Sequence, residues 1–267
     1  MIKFETSDCL INLWFPYGSK DQSESKRMDS DCRIDDDPLI YGLAKTVNEM
    51  STHILCSSAY VSDTWITLSQ MIDKKYDPLI RQYVALRDHW NHCIGPKIMD
   101  VMCELQELFE SDPGIKNIIM MSSYGANTNL IHRSDIDIGL IVNQMDEKSE
   151  TRIGQVLVSN GYKMTKRVNG YMCYNKMVGI RFDSMDQMIE IEIKVRDYEK
   201  SKQVIGLHDY LDNRCDVEQK KIFTYLKHKF LELNEEFPKA YQHLKLLFYN
   251  TMMLKTYPQC KELFTSM

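Results

Sequence analysis

The chain lacks paired cysteines. Its eight cysteines, at positions 9, 32, 56, 93, 103, 173, 215 and 260, stand apart with no Cys-x-x-Cys among them. That spacing excludes a zinc ribbon and a disulfide framework, and suits thiols kept reduced in a core. A long apolar run is also missing: nothing approaches the roughly 20 residues that a membrane helix needs. Residues 1–15 carry Lys3, Glu5 and Asp8 where a secretory signal would be apolar. No membrane partner is expected, and the expected location is cytoplasmic or nuclear. Nor is there an excess of positive charge. Lys and Arg number 33 against 38 Asp and Glu, a formal charge of −5. Strong nonspecific nucleic-acid binding, which comes from cations neutralising phosphates, is therefore excluded, and any such contact is expected to be local. No internal repeat is present, and nothing in the sequence sets an oligomeric state.

What is present is a 267-residue chain, 43% hydrophobic, long enough to bury a sizeable core in one large domain or two small ones. After a short apolar start at 10–17, the stretch 18–38 is nearly all Ser, Asp, Glu, Lys and Arg, too polar to order itself by burial. Residues 1–38 thus read as an N-terminal segment ending in a polar linker. From 39 to 112 the apolar residues recur at helical spacing: Ile80, Tyr83, Val84, Leu86 and Trp90, then Ile98, Val101, Met102, Leu105 and Leu108. Breaks are expected at Asp77-Pro78, Gly95-Pro96 and Asp112-Pro113-Gly114.

Strands follow at 116–122 and 135–142, then a polar helix at 146–159 closed by Asn160-Gly161. Residues 162–168 and 171–182 flank Asn169-Gly170, a dipeptide favoured in two-residue type I′ turns, so a hairpin is expected there, with another strand at 188–195. Helical spacing resumes at 198, with Pro238 and Pro258 starting new pieces.

Two of these strands alternate acidic with β-branched residues: Asp135-Ile136-Asp137-Ile138 and Ile189-Glu190-Ile191-Glu192-Ile193. Because strand side chains alternate between faces, Asp135 and Asp137 share one face, and Glu190, Glu192 and Lys194 likewise separate from the isoleucines. Carboxylates gathered on one sheet face repel unless a cation neutralises them, and oxygen ligands suit a divalent ion such as Mg²⁺. The plainer reading is a solvated acidic face on a half-buried strand.

The segment Ser122-Ser123-Tyr124-Gly125-Ala126-Asn127-Thr128-Asn129-Leu130, followed by Ser134-Asp135-Ile136-Asp137, resembles the signature of nucleotidyltransferases of the DNA polymerase beta type. In that family a Gly-Ser pair ends one strand, a short helix follows, and Asp-x-Asp opens the next. A third carboxylate sits on a later strand, to which 189–195 aligns with Glu192 at the acidic position. The resemblance covers about 116–195 and departs at four points. Ser122 and Asn127 stand where the family has glycines, the stretch from Leu130 to Ser134 is one residue longer, and the third acid is Glu rather than Asp.

This resemblance implies an α+β fold: a nucleotidyltransferase palm with a mixed sheet over 113–197, helices on one of its faces. A mostly helical second module, built from 39–112 and 198–267, would face it across a nucleotide-binding cleft. It also implies a chemistry, transfer of a nucleoside monophosphate from an NTP to a hydroxyl acceptor such as an RNA 3′ end, with release of pyrophosphate. Asp135, Asp137 and Glu192 would hold two Mg²⁺ (or Mn²⁺) ions and carry catalysis, while Ser122 and Ser123 would cradle the phosphates. Lys220, Lys221, Lys227 and Lys229 lie where relatives place triphosphate-binding lysines, and Lys227 is the candidate among them. The same site in relatives makes nucleotide second messengers. A reading from another class is a module that keeps the fold as a binding or scaffold domain without turnover, motivated by Ser122, Asn127 and Glu192.

Other features carry less. Glu190 and Asp183 are spare acids beside Glu192. His89-x-x-His92-Cys93 has no second ligand pair and is read as part of a helix, not as zinc ligands. Tyr225, Tyr241, Tyr249 and Tyr257 recur at helical spacing and are read as core.

Overall fold

The computed structural model describes residues 37–258 apart from 169–170 and 183, with the backbone alone at 52, 56, 73–75 and 168. The N-terminal segment, the Asn169-Gly170 turn, Asp183 and the residues after 258 lie outside the described residues. In chain order the elements are α1 (Pro38–Asn48), α2 (Thr52–Cys56), α3 (Val61–Phe109), β1 (Ile115–Met120), α4 (Ser122–Gly125), β2 (Ile136–Val142), α5 (Glu147–Ser159), β3 (Lys163–Val168), β4 (Tyr171–Phe182), β5 (Met185–Asp197), α6 (Tyr198–Asn213), α7 (Val217–Glu232) and α8 (Ala240–Thr256). The strands form one mixed sheet in the order β1-β2-β5-β4-β3. Among the described strands β2 and β5 run parallel and the other neighbours antiparallel. The fold class is α+β, as the sequence implies. The described residues divide into two compact units, Tyr76–Thr224 and the combination of those before Tyr76 with those from Tyr225 on.

Alternation builds the core of the first unit. Ile136, Ile138, Leu140 and Val142 of β2, Ile191, Ile193 and Val195 of β5, and Met172 and Tyr174 of β4 face one way. Against them pack Trp90, Ile94, Ile98, Val101, Leu105 and Phe109 of α3, with Ile153 and Leu157 of α5. The interior strand β2 is buried along its whole length, as expected of a strand with a parallel neighbour and covered faces. Helix α5 begins with a capping box in which Asp146 accepts from the Ser149 N–H at 2.8 Å and the Asp146 N–H donates to Ser149 Oγ at 2.9 Å. It ends at Gly161, whose φ of +85° is the left-handed turn that glycine adopts without steric cost.

Two expectations need correcting. The prolines at 78 and 96 do not break the helix: α3 is a single element of 49 residues with both prolines inside it. An interior proline costs about 3 kcal/mol through its lost hydrogen bond and ring clash. The buried stripe nevertheless runs straight across each one, Tyr76, Ile80 and Val84 around Pro78, and Ile94, Ile98 and Val101 around Pro96, and packing outweighs the local penalty. The break at Asp112-Pro113-Gly114 does occur, with Asp112 Oδ1 accepting from the Gly114 N–H at 2.9 Å. Helices also meet the sheet on more than one face, because α6 carries His208 onto the carboxylate side at Ser122.

In the second unit α1 is opened by Asp37, which accepts from the Leu39 and Ile40 N–H groups. Its buried face is Ile40, Leu43, Ala44 and Val47. Side chains of α8 satisfy backbone groups of the early elements: Asn250 Nδ2 donates to the Leu55 carbonyl at 2.9 Å and Thr251 Oγ1 to the Val61 carbonyl at 3.3 Å. Trp65 and Phe248 meet edge to face at 5.0 Å.

Ile193 is fully buried at the centre of the sheet core, while Met188, on the same strand, is 63% exposed. Ile193→Ala is expected to lower unfolding free energy by about 2–5 kcal/mol, and Met188→Ala to change it by less than about 0.5 kcal/mol, both read by urea denaturation. Equal effects at the two positions would contradict this assignment of faces.

Candidate active site

The parallel register of β2 and β5 sets Asp137 opposite Glu192, so the second acid of Asp-x-Asp and the later acid are neighbours on one sheet face. The β1–β2 ladder continues one step beyond β1, the Met121 N–H donating to the Asp137 carbonyl at 2.8 Å. That bond places the Ser122 turn beside Asp137. Asp137 is only 3% exposed. Its Oδ2 lies 2.8 Å from Lys194 Nζ, which also reaches Glu192 Oε2 at 3.2 Å. Strand alternation explains the trio, since Lys194 follows Glu192 by two positions and therefore shares its face.

The electrostatics follow from this geometry. Burial works against a charged Asp137, but the Lys194 ammonium, its hydrogen bond and the Ser122 hydroxyl more than offset that and hold the carboxyl below the usual aspartate range. Burial likewise disfavours the Lys194 ammonium, yet Asp137 and Glu192 together raise its pKa above the ordinary lysine value. Across the strand pair Cys173 stands opposite Lys194, its thiol 2.6 Å from the Tyr171 hydroxyl and pushed up to about 11 chiefly by burial. Cys173 is thus a protonated wall, not a nucleophile. Among the described residues Asp137 Oδ1 is buried with no hydrogen-bond partner, an acceptor that a cation ligand set would satisfy.

Asp135 immediately precedes β2 and is exposed; its charge reaches Tyr124, whose hydroxyl burial and Asp135 push up to about 12. Asp137 and Glu192 thus stand side by side as oxygen donors of the kind that suits a divalent cation. Among the described residues no group of three or more His, Cys, Asp or Glu side chains already converges as a metal cluster.

The turn is strained at two non-glycine residues. Ser122 has φ +53° and Asn127 φ +54°, the left-handed region that non-glycine residues rarely adopt. Two sets of contacts hold it there. His208 of α6 accepts the Ser122 N–H on Nε2 at 3.2 Å, so that N–H of the expected phosphate cradle already has a partner. Arg87 of α3 donates to the Asn127 carbonyl at 2.9 Å. Trp90 Nε1 donates to the Tyr124 hydroxyl at 2.9 Å, and Asn91 and Asn129 exchange amide hydrogen bonds. Gly125 is required by close approach: a Cβ there would meet the Met120 carbonyl oxygen at 2.5 Å. The longer loop closes through Ser134, whose Oγ accepts from the Leu130 N–H at 2.7 Å, with His132 at φ +55°.

Ser123 lies in α4, next to the strained residue. Lys227 is fully buried and belongs to the other unit. Glu190 is exposed, opposite Met177. Lys220 donates to the Leu211 carbonyl at 2.7 Å, a helix-end contact, and Lys221 and Lys229 pair with Glu218 and Glu232. Tyr225 and Tyr249 are core residues. A groove of about 430 Å³ lined by Cys93, Lys97, Arg181 and Met188 contains none of the residues above. Sequence reading missed His208, Lys194, Arg87 and Trp90. For Lys194 a signal existed in its spacing from Glu192; for the others, contacts distant in sequence left none.

Two predictions concern stability. Burial first, then the charge of Arg196, pushes His208 from 6.5 down to about 4. Its neutral form is the one that folds, so its contribution is complete above pH 6.5 and is lost as pH falls toward 4. Unfolding free energy should drop by about 2 kcal/mol from this residue between pH 7.5 and 5, and His208→Gln, which keeps an acceptor, should flatten that slope; an unchanged slope would contradict it. At Asn127, glycine should be neutral or stabilising while valine should cost about 1–2 kcal/mol, read as melting temperatures.

No protein-family model matches the sequence, and no curated protein does. Among solved structures the chain is similar to Cid1 poly(U) polymerase with Mg and 3′-dATP bound, at a TM-score of 0.43 and 12% identity over 64% of this chain and 54% of that one. It is also similar to small alarmone synthetase 1 from Bacillus subtilis bound to its product pppGpp, at a TM-score of 0.29 and 11% identity over 65% of this chain and 100% of that one. The chain thus spans about half the length of the polymerase.

Proposed function

We propose that the chain is a metal-dependent nucleotidyltransferase that moves a nucleoside monophosphate from an NTP to a hydroxyl acceptor, an RNA 3′ end, with release of pyrophosphate. The observation that carries this reading is the in-register placement of Asp137 and Glu192 on parallel strands, next to a left-handed turn at Ser122, with a buried Asp137 oxygen left for a ligand. Asp135, Asp137 and Glu192 would hold the divalent ions, Mg²⁺ or Mn²⁺. When bound, such ions neutralise charge on the attacking and leaving oxygens.

The chain's own residues do the rest. The Ser122–Ser123 turn positions the phosphates against the carboxylates. Glu192, the less buried of the two paired acids, accepts the acceptor hydroxyl's proton as its oxygen bonds the α-phosphorus. The bond from the α-phosphorus to the bridging oxygen breaks, and that oxygen leaves with the β- and γ-phosphates.

A second reading is favoured by Lys194, which already pairs with both acids: a module that retains the fold and binds nucleotide or a partner without turnover. Incubating the protein with labelled NTP, RNA and Mg²⁺ or Mn²⁺ separates the two. The enzyme reading expects label in RNA and a loss of at least about 100-fold in Asp137→Ala, the order seen when a charge-stabilising group is removed. Absence of both NTP binding and pyrophosphate release would overturn it. Label in short oligonucleotides or cyclic products without RNA would instead assign a second-messenger synthase.

A further inference from the structure

Lys194 has no part in the transfer proposed above, yet it is the cation best placed in the site. Its side chain is 16% exposed, and its ammonium bridges Asp137 Oδ2 and Glu192 Oε2. The register fixes it between Gly139 of β2 and Cys173 of β4, so the bridge is built into the sheet rather than reached by a long surface side chain. One lysine leaves the site incompletely matched. Two carboxylates and one ammonium keep a net negative charge, and Asp137 Oδ1 stays buried without a partner among the described residues. A divalent ion held by the same two acids would cancel that charge and could take the orphan oxygen. The two cations exclude one another there, because both need the oxygens that face the gap and like charges repel strongly in a buried site.

We propose that Lys194 is the resident counter-cation of this site: it pairs with Asp137 and Glu192 when no metal is bound, and a divalent ion enters only as Lys194 leaves, so that Lys194 sets the metal affinity. The inference rests on the reading of Asp137 and Glu192 as metal ligands. Its consequence is quantitative. If the bridged state dominates, the observed metal affinity is the intrinsic one reduced by the fraction of molecules in which the bridge is open. Removing the ammonium removes that reduction and leaves a buried acid beside a half-buried one, whose repulsion a metal relieves.

The test is a Mn²⁺ titration of the full chain followed by electron paramagnetic resonance, with melting temperatures measured alongside, for the wild type and for Lys194→Met, Lys194→Gln and Lys194→Arg. The glutamine variant keeps a hydrogen-bond donor without charge and guards against a methionine variant that fails to fold. Both uncharged variants should bind Mn²⁺ at least about ten-fold more tightly than the wild type. Each should melt lower without metal and gain more from Mn²⁺ than the wild type does. Lys194→Arg should remain at or below wild-type affinity, and Asp137→Asn in the Lys194→Met background should abolish the gain. Unchanged or weaker binding in the uncharged variants, with a wild type that binds Mn²⁺ and incorporates NTP, would overturn the counter-cation role and leave the enzyme reading intact. Failure of every variant to bind Mn²⁺ would overturn both.

Discussion

Parallel pairing of β2 with β5 is the constraint on which the rest depends. These two strands are distant in sequence, and their register decides which acid of one faces which acid of the other. A shift of one residue would turn every side chain of a strand to the opposite face, sending Asp137 into the apolar layer and an isoleucine toward Lys194. The register is held because the isoleucines and valines on the other face are wholly buried against α3 and α5. The apolar half of each strand therefore aims the acidic half.

That division of labour explains why charge can be concentrated in so dry a place. Asp137 lies on a strand buried from end to end, where an unpaired carboxylate would be costly. Lys194 offsets that cost, and the bridge to Glu192 spreads it over a second acid. Breaking one member of such a set leaves the others uncompensated, so the trio acts as a unit. The turn at Ser122 follows a related logic. Its left-handed backbone is held by contacts from two helices, His208 from α6 and, at Asn127, Arg87 from α3, and strain of this kind persists where surrounding structure over-determines it.

The legible and illegible parts of the sequence divide along the same line. Strand periodicity puts Asp137 and Glu192 on faces away from the isoleucines, and Ser122 and Asn127, which stand where the resembled signature has glycines, both have positive φ. The capping residues of α5 and the end of α3 were readable because their signals are local. What could not be read depends on partners far along the chain. The unbroken α3 is one case, since a proline's local penalty is visible in sequence and the packing that overrides it is not. His208 is another, a buried histidine 86 positions from the N–H it accepts. Lys194 lay in plain view on the acidic face, but its role appears only once the parallel register brings Asp137 alongside.

The central claim is that Asp137 and Glu192 share one cation position, held by Lys194 in the absence of metal. It is tested most directly by an anomalous-scattering map, at the manganese edge, of crystals grown with Mn²⁺ and a non-hydrolysable NTP. A peak within bonding distance of both carboxylates, with the Lys194 ammonium moved off them, is the predicted result. Full-occupancy manganese elsewhere, or Lys194 still bridging the two acids in the presence of saturating metal, would contradict the account.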